Sequence, residues 1–388
     1  MASVKMGIVG YGNMGTVHAQ SIFEGKIKNM TLAAVCDNNS SRIEAAKEKF
    51  GEKTAYFSDY TEMLESGLVD SVLIATPHYS HPEMVISAFD KDFNVLTEKP
   101  AGVYTKQVLD MNERASKSDK VFGIMYNQRT NPYFQAVKEF IDSGRLGAPK
   151  RLVWIITNWY RTQPYYDSGT WRATWSGEGG GVLINQCPHN LDLWQWMFGM
   201  PSKVRAFCSY GKYHNIEVED DVTIHAEYDN GAVAEFITTT GEAPGTNRLE
   251  ISGDKAKIVI EDGKMKIWEL ETPEREFCFS DVGGFDTPKV TCSEIDLSDK
   301  PEAGHNGILQ NFCNAILKGE KLLAPGEEGI NGLTISNAAH LSSWIDDTVD
   351  IPFNDSLFFI KLQQKIAGSE AKEVTETKTF GLEGTFNS

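Results

Sequence analysis

The sequence predicts an α/β N-terminal domain, a doubly wound parallel sheet, joined to an α+β domain built on a large, mostly antiparallel open sheet. Three observations carry that prediction. A Gly10-x-Gly12-x-x-Gly15 run lies between an apolar strand and a helical segment. Strand and helix patterns then alternate with short connections up to Tyr126, as in a parallel sheet covered on both faces. Beyond residue 150 the pattern changes to alternating strands divided by tight-turn residues, which reads as antiparallel.

The 388 residues suffice for two domains, and the boundaries read as 1–126, 127–350 and a closing helix and polar tail over 351–388. The net charge of −17 argues against nucleic acid or an anionic membrane as partner, since both demand a basic face. No apolar run approaches the length of a membrane span. The chain starts directly with a strand and carries no signal-peptide core, so a cytoplasmic location is expected. Cysteines 36, 187, 208, 278, 292 and 313 form no Cys-x-x-Cys pair. They read as reduced core residues, with neither a disulfide frame nor a metal site.

Residues 6–9 form the first strand, and the helical run 16–23 follows the glycines. Gly10 permits the tight turn, Gly12 lets backbone amides approach a pyrophosphate, and Gly15 lets the helix pack close to the strand, as in a Rossmann-type domain. The helix N-terminus then meets the phosphate charge, with Tyr11, Asn13 and Met14 filling the variable places. The second strand, 32–36, ends in Asp37, about 20 residues beyond Gly15. A carboxylate there holds the adenosine ribose hydroxyls and repels a 2′-phosphate, which favours NAD. Arg42, at the start of the next helix, keeps NADP open. Asp37 has a plainer alternative as a turn acid or an aid to the next helix cap.

Residues 58–62 start a helix, and 71–75 form a buried strand closed by Thr76-Pro77. His81-Pro82-Glu83 opens a helix with proline in its first turn. His78 and His81 thus fall at the strand-end edge, His78 facing the nicotinamide and His81 there or at the helix start. The strand over 94–97 is ended by Pro100, which lacks an amide for the ladder and holds Lys99 extended. Lys99 therefore leaves the carboxyl edge, where ligands of open α/β sheets collect. A helix from near Thr105 and a strand over 121–126 complete the domain.

Asn131-Pro132 opens an amphipathic helix, with Phe134, Val137 and Ile141 at helical spacing. A strand starts at 152–156, turns follow at Asp229-Asn230-Gly231, Gly253-Asp254 and Asp262-Gly263, and 222–228 alternates apolar with polar. Six of the eight tryptophans lie between residues 154 and 196, a clustering that calls for a local explanation. Tyr160, Arg161, Tyr165, Tyr166, Trp171, Arg172 and Trp175 occupy a loop-like stretch, either lining a pocket or packed beneath the loop or at a subunit contact. Trp194 and Trp196 fall on the next helix, at least one of them in the core.

Gly179-Gly180-Gly181 leaves a bare backbone, suited to close approach by a cofactor or another segment. Asn185, His189 and Asp192 follow at spacings of four and three, which share one face of a helix, although Pro188 makes the turn carrying His189 irregular. Gly304-His305-Asn306-Gly307 precedes a helix over 308–317. His305 either closes the pocket from the second domain or has a capping or surface role. Past Gly368 the chain is polar, a mobile tail or an arm on a neighbouring subunit.

Gly10-x-Gly12-x-x-Gly15, Thr76-Pro77 with His81, Glu98-Lys99-Pro100, and Asn127-Gln128-Arg129 with Pro132 together resemble the glucose–fructose oxidoreductase and inositol dehydrogenase (Gfo/Idh/MocA) family. The resemblance covers nearly the whole chain. It implies a two-domain NAD(P)-dependent enzyme in which Lys99 lines the active site and contacts the substrate hydroxyl, with Glu98 beside the cofactor. The family usually follows its glycine triplet with an acid and, four residues later, a histidine. His189 fits the histidine, and Asn185 stands in place of the acid. An amide orients a hydroxyl but cannot accept its proton, so that task falls to His189 and Lys99, with Asp192 as an orienter. The family also implies a homodimer or homotetramer paired through the open sheet of the second domain.

The resulting expectation is hydride transfer between NAD, or NADP, and a secondary alcohol of a sugar, cyclitol or related polyol. Lys99 and His189 handle the hydroxyl proton, and Asn185 assists. Arg129, Arg161 or Arg172 and the aromatics Tyr160, Trp171 and Trp175 hold the remaining hydroxyls, with Asn127 and His305 as further candidates. Two rivals stand beside it. One is NAD-recycling oxidation and elimination on glycosides, which His78, His81 and His189 permit. The other is a non-catalytic NAD-responsive regulator, against which the retention of both Lys99 and His189 argues.

Overall fold

The structure, a computed structural model, describes residues 3–369. They fold as two compact units. The first contains the residues through Thr130, then Gly177–Gly179 and Ala303–Leu333; the second contains Asn131–Ser176, Gly180–Glu302 and the residues from Thr334 onward.

The first unit alternates β1 (Val4–Val9), α1 (Asn13–Phe23), β2 (Met30–Cys36), α2 (Ser40–Phe50), β3 (Ala55–Phe57), α3 (Tyr60–Glu65), β4 (Ser71–Ile74), α4 (His81–Asp90), β5 (Asn94–Thr97), α5 (Thr105–Ala115) and β6 (Phe122–Ile124). The strands lie in the order β3-β2-β1-β4-β5-β6, every neighbouring pair parallel. Val4, Met6, Ile8 and Val9 of β1 and all four residues of β4 are buried. Helices on both faces leave the central strands no wet side, which is why they read as continuous apolar runs. The order reverses between β1 and β4, and the strand ends there form the crevice in which such sheets hold ligands.

The chain continues through α6 (Pro132–Asp142), β7 (Pro149–Ile156), α7 (Gln163–Tyr166), α8 (Pro188–Phe198), β8 (Lys203–Tyr210), β9 (Glu219–Glu227), β10 (Val233–Thr239), β11 (Asn247–Gly253), β12 (Ala256–Glu261), β13 (Lys264–Leu270), α9 (Glu274–Cys278) and β14 (Val290–Ile295). After α10 (Gly304–Lys318) come α11 (Gly329–Ile345), β15 (Val349–Asp350) and α12 (Asp355–Ala367). Nine strands form one sheet, β14-β13-β12-β11-β7-β10-β9-β8-β15, antiparallel except where β7 and β10 run parallel. Along β9, Val222, Ile224 and Ala226 are buried while Thr223 and His225 are half-exposed. The buried face is filled by aromatics from strands and helices: Trp154 meets Phe134 of α6 at 5.8 Å, and Trp194 of α8 stacks on Phe236 at 5.8 Å. Such ring pairs add about 1 kcal/mol each beyond simple burial.

Several expectations change. The inward face of α6 is Phe134, Val137 and Phe140, and Ile141 is only half-buried. Residues 303–333 belong with the first unit and not with the second domain. They are tied there by Ile124 N donating to Ala324 O at 3.1 Å and Gly304 N donating to Thr130 Oγ1 at 2.7 Å. All six cysteines are free thiols, but only Cys36, Cys187 and Cys313 are buried, Cys208 is half-buried, and Cys278 and Cys292 are exposed. Cys292 sits on β14, an edge strand paired on one side only and open on both faces. No helix among the described residues is long and apolar enough to cross a membrane. The proposed mobile tail or arm lies beyond residue 369, outside the described residues.

Candidate active site

The cradle at the end of β1 is built by two close backbone approaches. Gly10 has φ +89°, and a Cβ there would lie 2.6 Å from Ala75 O. A Cβ on Gly15 would lie 1.8 Å from Gly10 O, so α1 packs against the turn only because position 15 has no side chain. Gly12 is different: its nearest neighbour would be Arg42 Nη1 at 4.0 Å, so its surroundings are open. It also caps α1 without a side-chain bond, leaving the first-turn amides to face an anion. Asp37 is 6% exposed. Its Oδ2 accepts Tyr11 N at 2.7 Å and faces Arg42 Nη1 at 3.3 Å, and its Oδ1 accepts Asn39 N at 2.8 Å. Asp37 is thus a turn acid that also fixes the Tyr11 loop, while Asn39 caps α2 through its own side chain.

At the carboxyl ends of β4 and β5, His81 is fully buried, its ring nitrogens 2.7 Å from Thr76 O and 2.8 Å from Pro100 O. It braces the Thr76-Pro77 turn against the Lys99–Pro100 peptide, which is cis. Burial is the main influence on this imidazole and pushes its pKa down, against the pull of the two carbonyls. His78 is buried, with Nδ1 3.1 Å from Glu178 O. Lys99 is half-buried at the end of β5. Glu98 is buried, with Oε1 2.6 Å from His18 Nε2 and Oε2 accepting the Lys99 backbone N–H at 3.1 Å. Burial alone would raise the Glu98 pKa, yet the His18 bond and the charges of His18, His305 and Lys99 outweigh it and hold it at about 2. His305, on α10, is in the first unit and not in the second domain. Its ring centre is 5.4 Å from that of His18, and burial, then His18 and Lys99, push its pKa down to about 4 against the opposing pull of Glu98.

In the second unit, Asn185 does not share a helix with His189. It lies in the turn before α8, its N–H donating to Gly181 O at 3.0 Å. Pro188 has no amide to continue that turn and begins the helix instead. His189 is the second residue of α8 and buried, and Asp192, also buried, accepts from Gln195 Nε2 at 3.0 Å. The turn is held by Glu219, whose carboxylate accepts Gly181 N at 2.9 Å and Leu183 N at 3.0 Å. His340 Nε2 lies 3.0 Å from Glu219 Oε2, close enough for attraction but too poorly aligned for a hydrogen bond. The triple glycine serves chain segments: a Cβ on Gly181 would lie 2.0 Å from Glu219 O, and one on Gly179 would lie 2.3 Å from Val103 Cγ1.

The aromatic stretch divides. Trp175 is core, packed on Tyr210, His340 and Trp344 with its Nε1–H donated to Glu217 O at 3.0 Å. Tyr165, on α7, carries the guanidinium of Arg161 at 5.3 Å and that of Arg172 at 4.4 Å, and Trp171 lies 4.6 Å from Arg172. The Tyr165 hydroxyl accepts from Arg172 Nη1 at 2.7 Å and from Gln186 Nε2 at 3.3 Å, which ties this cluster to the turn beside Asn185. Tyr160 is exposed. In the first unit, Arg129 is 1% exposed, bound to Glu328 at 2.6 Å and Leu323 O at 3.0 Å, so it braces the fold, and Asn127 beside it is buried.

Two family models match: "Oxidoreductase family, NAD-binding Rossmann fold" over residues 4–126 and "GFO/IDH/MocA C-terminal domain" over residues 134–259. The chain belongs to the Gfo/Idh/MocA family. Myo-inositol 2-dehydrogenase of Thermotoga maritima is 26% identical to it over 340 residues, 87% of this chain and 96% of that protein. The WlbA dehydrogenase of Chromobacterium violaceum, solved with NADH and UDP-GlcNAcA, is 25% identical with a TM-score of 0.77, over 91% of this chain and 97% of that one. Levoglucosan dehydrogenase, solved with NADH and levoglucosan, is 20% identical with a TM-score of 0.74, over 90% and 100%, and supports the fold.

This Gfo/Idh/MocA oxidoreductase therefore carries an NAD-binding first unit, and its glycine cradle fits the dinucleotide: space is withheld at Gly10 and Gly15, where the backbone folds on itself, and left at Gly12. Two residues that hold the candidate groups in place, His18 and Glu219, carry no local sequence signal. His18 shares α1 with the glycine run yet finds its partner 80 residues away.

Proposed function

We propose that this oxidoreductase transfers a hydride between NAD and a secondary alcohol of a sugar, cyclitol or related polyol. The observation that carries the reading is Lys99 at the carboxyl end of β5, in the same parallel sheet whose β1 ends in the glycine cradle. NAD, when bound, supplies the hydride acceptor. Gly12 and the first amides of α1 hold the pyrophosphate, Asp37 the adenosine ribose, and Thr76, Pro77 and His78 border the nicotinamide side. NADP remains a poorer alternative through Arg42. Lys99 and His189 between them take up the hydroxyl proton and polarise the forming carbonyl. Asn185 orients the hydroxyl as an amide can, without accepting the proton. Arg161, Trp171 and Arg172 hold the rest of the polyol, a role suited to half-exposed guanidiniums and ring faces. The relatives acting on inositols support this substrate class. Homo-oligomers paired across the outward sheet face, where Phe207 is 62% exposed, fit the same reading.

The test is a panel of sugars and inositols with NAD and NADP, following net formation of reduced cofactor. On the best substrate, Lys99→Ala and His189→Ala should each lower kcat/KM by about a hundredfold or more with the NAD dissociation constant nearly unchanged. Wild-type rates in both variants refute the assignment. NAD binding without net reduction by any polyol refutes the dehydrogenase reading.

A further inference from the structure

A buried carboxylate beside a candidate catalytic lysine raises the question of why it is charged at all. Glu98 is 5% exposed and His18 is 0% exposed. Glutamine at position 98 would accept the Lys99 amide equally well and avoid the desolvation of an ion, which costs several kcal/mol in a protein interior. What a carboxylate adds is charge. An ionised carboxylate only accepts, so His18 Nε2 must carry the proton that joins the two at 2.6 Å. His18 Nδ1 is buried with no hydrogen-bond partner among the described residues, and leaving it a bare lone pair costs less than burying an unmatched N–H⁺. In this pair His18 is the donor and Glu98 the acceptor.

We propose that His18 and Glu98 form a positioning pair that keeps the Lys99 side chain an ammonium during turnover. The pair rests on the reading of Lys99 given under Proposed function. Glu98 is anchored twice: its own N–H donates to Ile74 O at 2.8 Å, and Oε2 holds the Lys99 N–H. From the far side, His81 of α4 holds Pro100 O. Glu98, His81 on α4 and His305 on α10 each interact electrostatically with Lys99. Of these three Glu98 is the anion, and both His81 and His305 are shifted toward the neutral form. An opposite charge on the adjoining residue favours the protonated amine. Lys99 then serves as a fixed positive charge that stabilises an alkoxide, and the proton leaves by another group.

The test reads Lys99 itself. Reductive ¹³C-methylation of the full-length protein gives each lysine an NMR signal, and the signal missing in Lys99→Arg identifies residue 99. The wild-type signal should titrate near or above the ordinary lysine value of about 10.4. In Glu98→Gln its midpoint should fall by about one pH unit or more. In His18→Gln, whose amide can still donate to the carboxylate, it should stay near wild type, whereas His18→Phe should move it in the same direction as Glu98→Gln. A wild-type midpoint below about 9 overturns the proposal without any variant, and so does an unchanged midpoint in folded Glu98→Gln. Because the signal needs no substrate, a normal Lys99 response together with no polyol oxidation would refute the proposed reaction and leave the pair standing.

Discussion

Replacing Glu219 by alanine tests how the candidate turn of the second unit is held. The wild-type carboxylate is wholly buried. It satisfies the amides of Gly181 and Leu183 and faces His340 Nε2 at 3.0 Å. Alanine leaves two buried N–H groups without their acceptor and removes the carboxylate that faces His340. Each orphaned donor costs about 1–3 kcal/mol. We therefore expect Glu219→Ala to lose about 3–5 kcal/mol. At roughly 2–4 °C per kcal/mol for a domain of this size, the thermal transition of the second unit should fall by about 10 °C. Glu219→Gln keeps one acceptor but turns an N–H₂ toward a backbone N–H, and should lose about half as much. Scanning calorimetry measures the shift, and hydrogen exchange across residues 181–187 should rise in the same variants, since that turn leads directly to His189. A Glu219→Ala protein melting within about 2 °C of wild type, with unchanged exchange in the turn, would refute the reasoning.

Three further outcomes follow from the first unit. Asp37→Ala removes the acceptor for Tyr11 N and the charge proposed to face the ribose. NAD affinity should drop about tenfold, the worth of one charged hydrogen bond, and the NAD over NADP ratio of kcat/KM should narrow, both read by titrating each cofactor. Gly15→Ala places a Cβ 1.8 Å from Gly10 O. The turn must open, so NADH fluorescence titration should show at least a tenfold loss, with stability lower by about 1–3 kcal/mol. Acid should weaken the first unit in two stages. His305, neutral when folded, titrates near 4 against an ordinary 6.5, so the unfolded chain takes up its proton first and stability falls as pH drops from 6.5 to 4. Glu98, held near 2 against an ordinary 4.5, contributes on the order of 3 kcal/mol above pH 4.5, lost as pH falls toward 2. Urea midpoints at about pH 8, 6, 5 and 4 should decline only below about 6.5.

The features legible in the sequence are those fixed by a residue's immediate neighbours. The glycine run, the proline after Lys99 and the alternation along β9 each constrain the backbone where they stand, and the parallel and antiparallel sheets follow. Contacts between distant segments were not legible. Periodicity gives no reason for residues 303–333 to return to the first unit, because that return rests on bonds such as Ile124 to Ala324. Trp175 lies in a turn, as its glycine- and serine-rich surroundings indicate, but only Tyr210, His340 and Trp344, arriving from other elements, decide that it packs in the core and does not line a pocket. Cys292 reads as core by residue type and is exposed because its strand lies at a sheet edge. The Asn185 spacing misled for a local reason that was present: Pro188 marks a helix beginning as readily as a helix interruption, and only the former puts Asn185 outside α8.

That placement bears on the chemistry. On the proposed reading, an acid in the turn at position 185 could relay a proton away from His189, and the asparagine present there cannot. The buried anion beside Lys99 is Glu98, the residue that follows β5. A lysine held charged by its own neighbour is a poor proton acceptor and a good partner for an alkoxide. Imidazole as a residue type has the unperturbed pKa better suited to accepting a proton at neutral pH. On the proposed reading, these two departures assign Lys99 to the oxygen, His189 to the proton and Asn185 to orienting the hydroxyl.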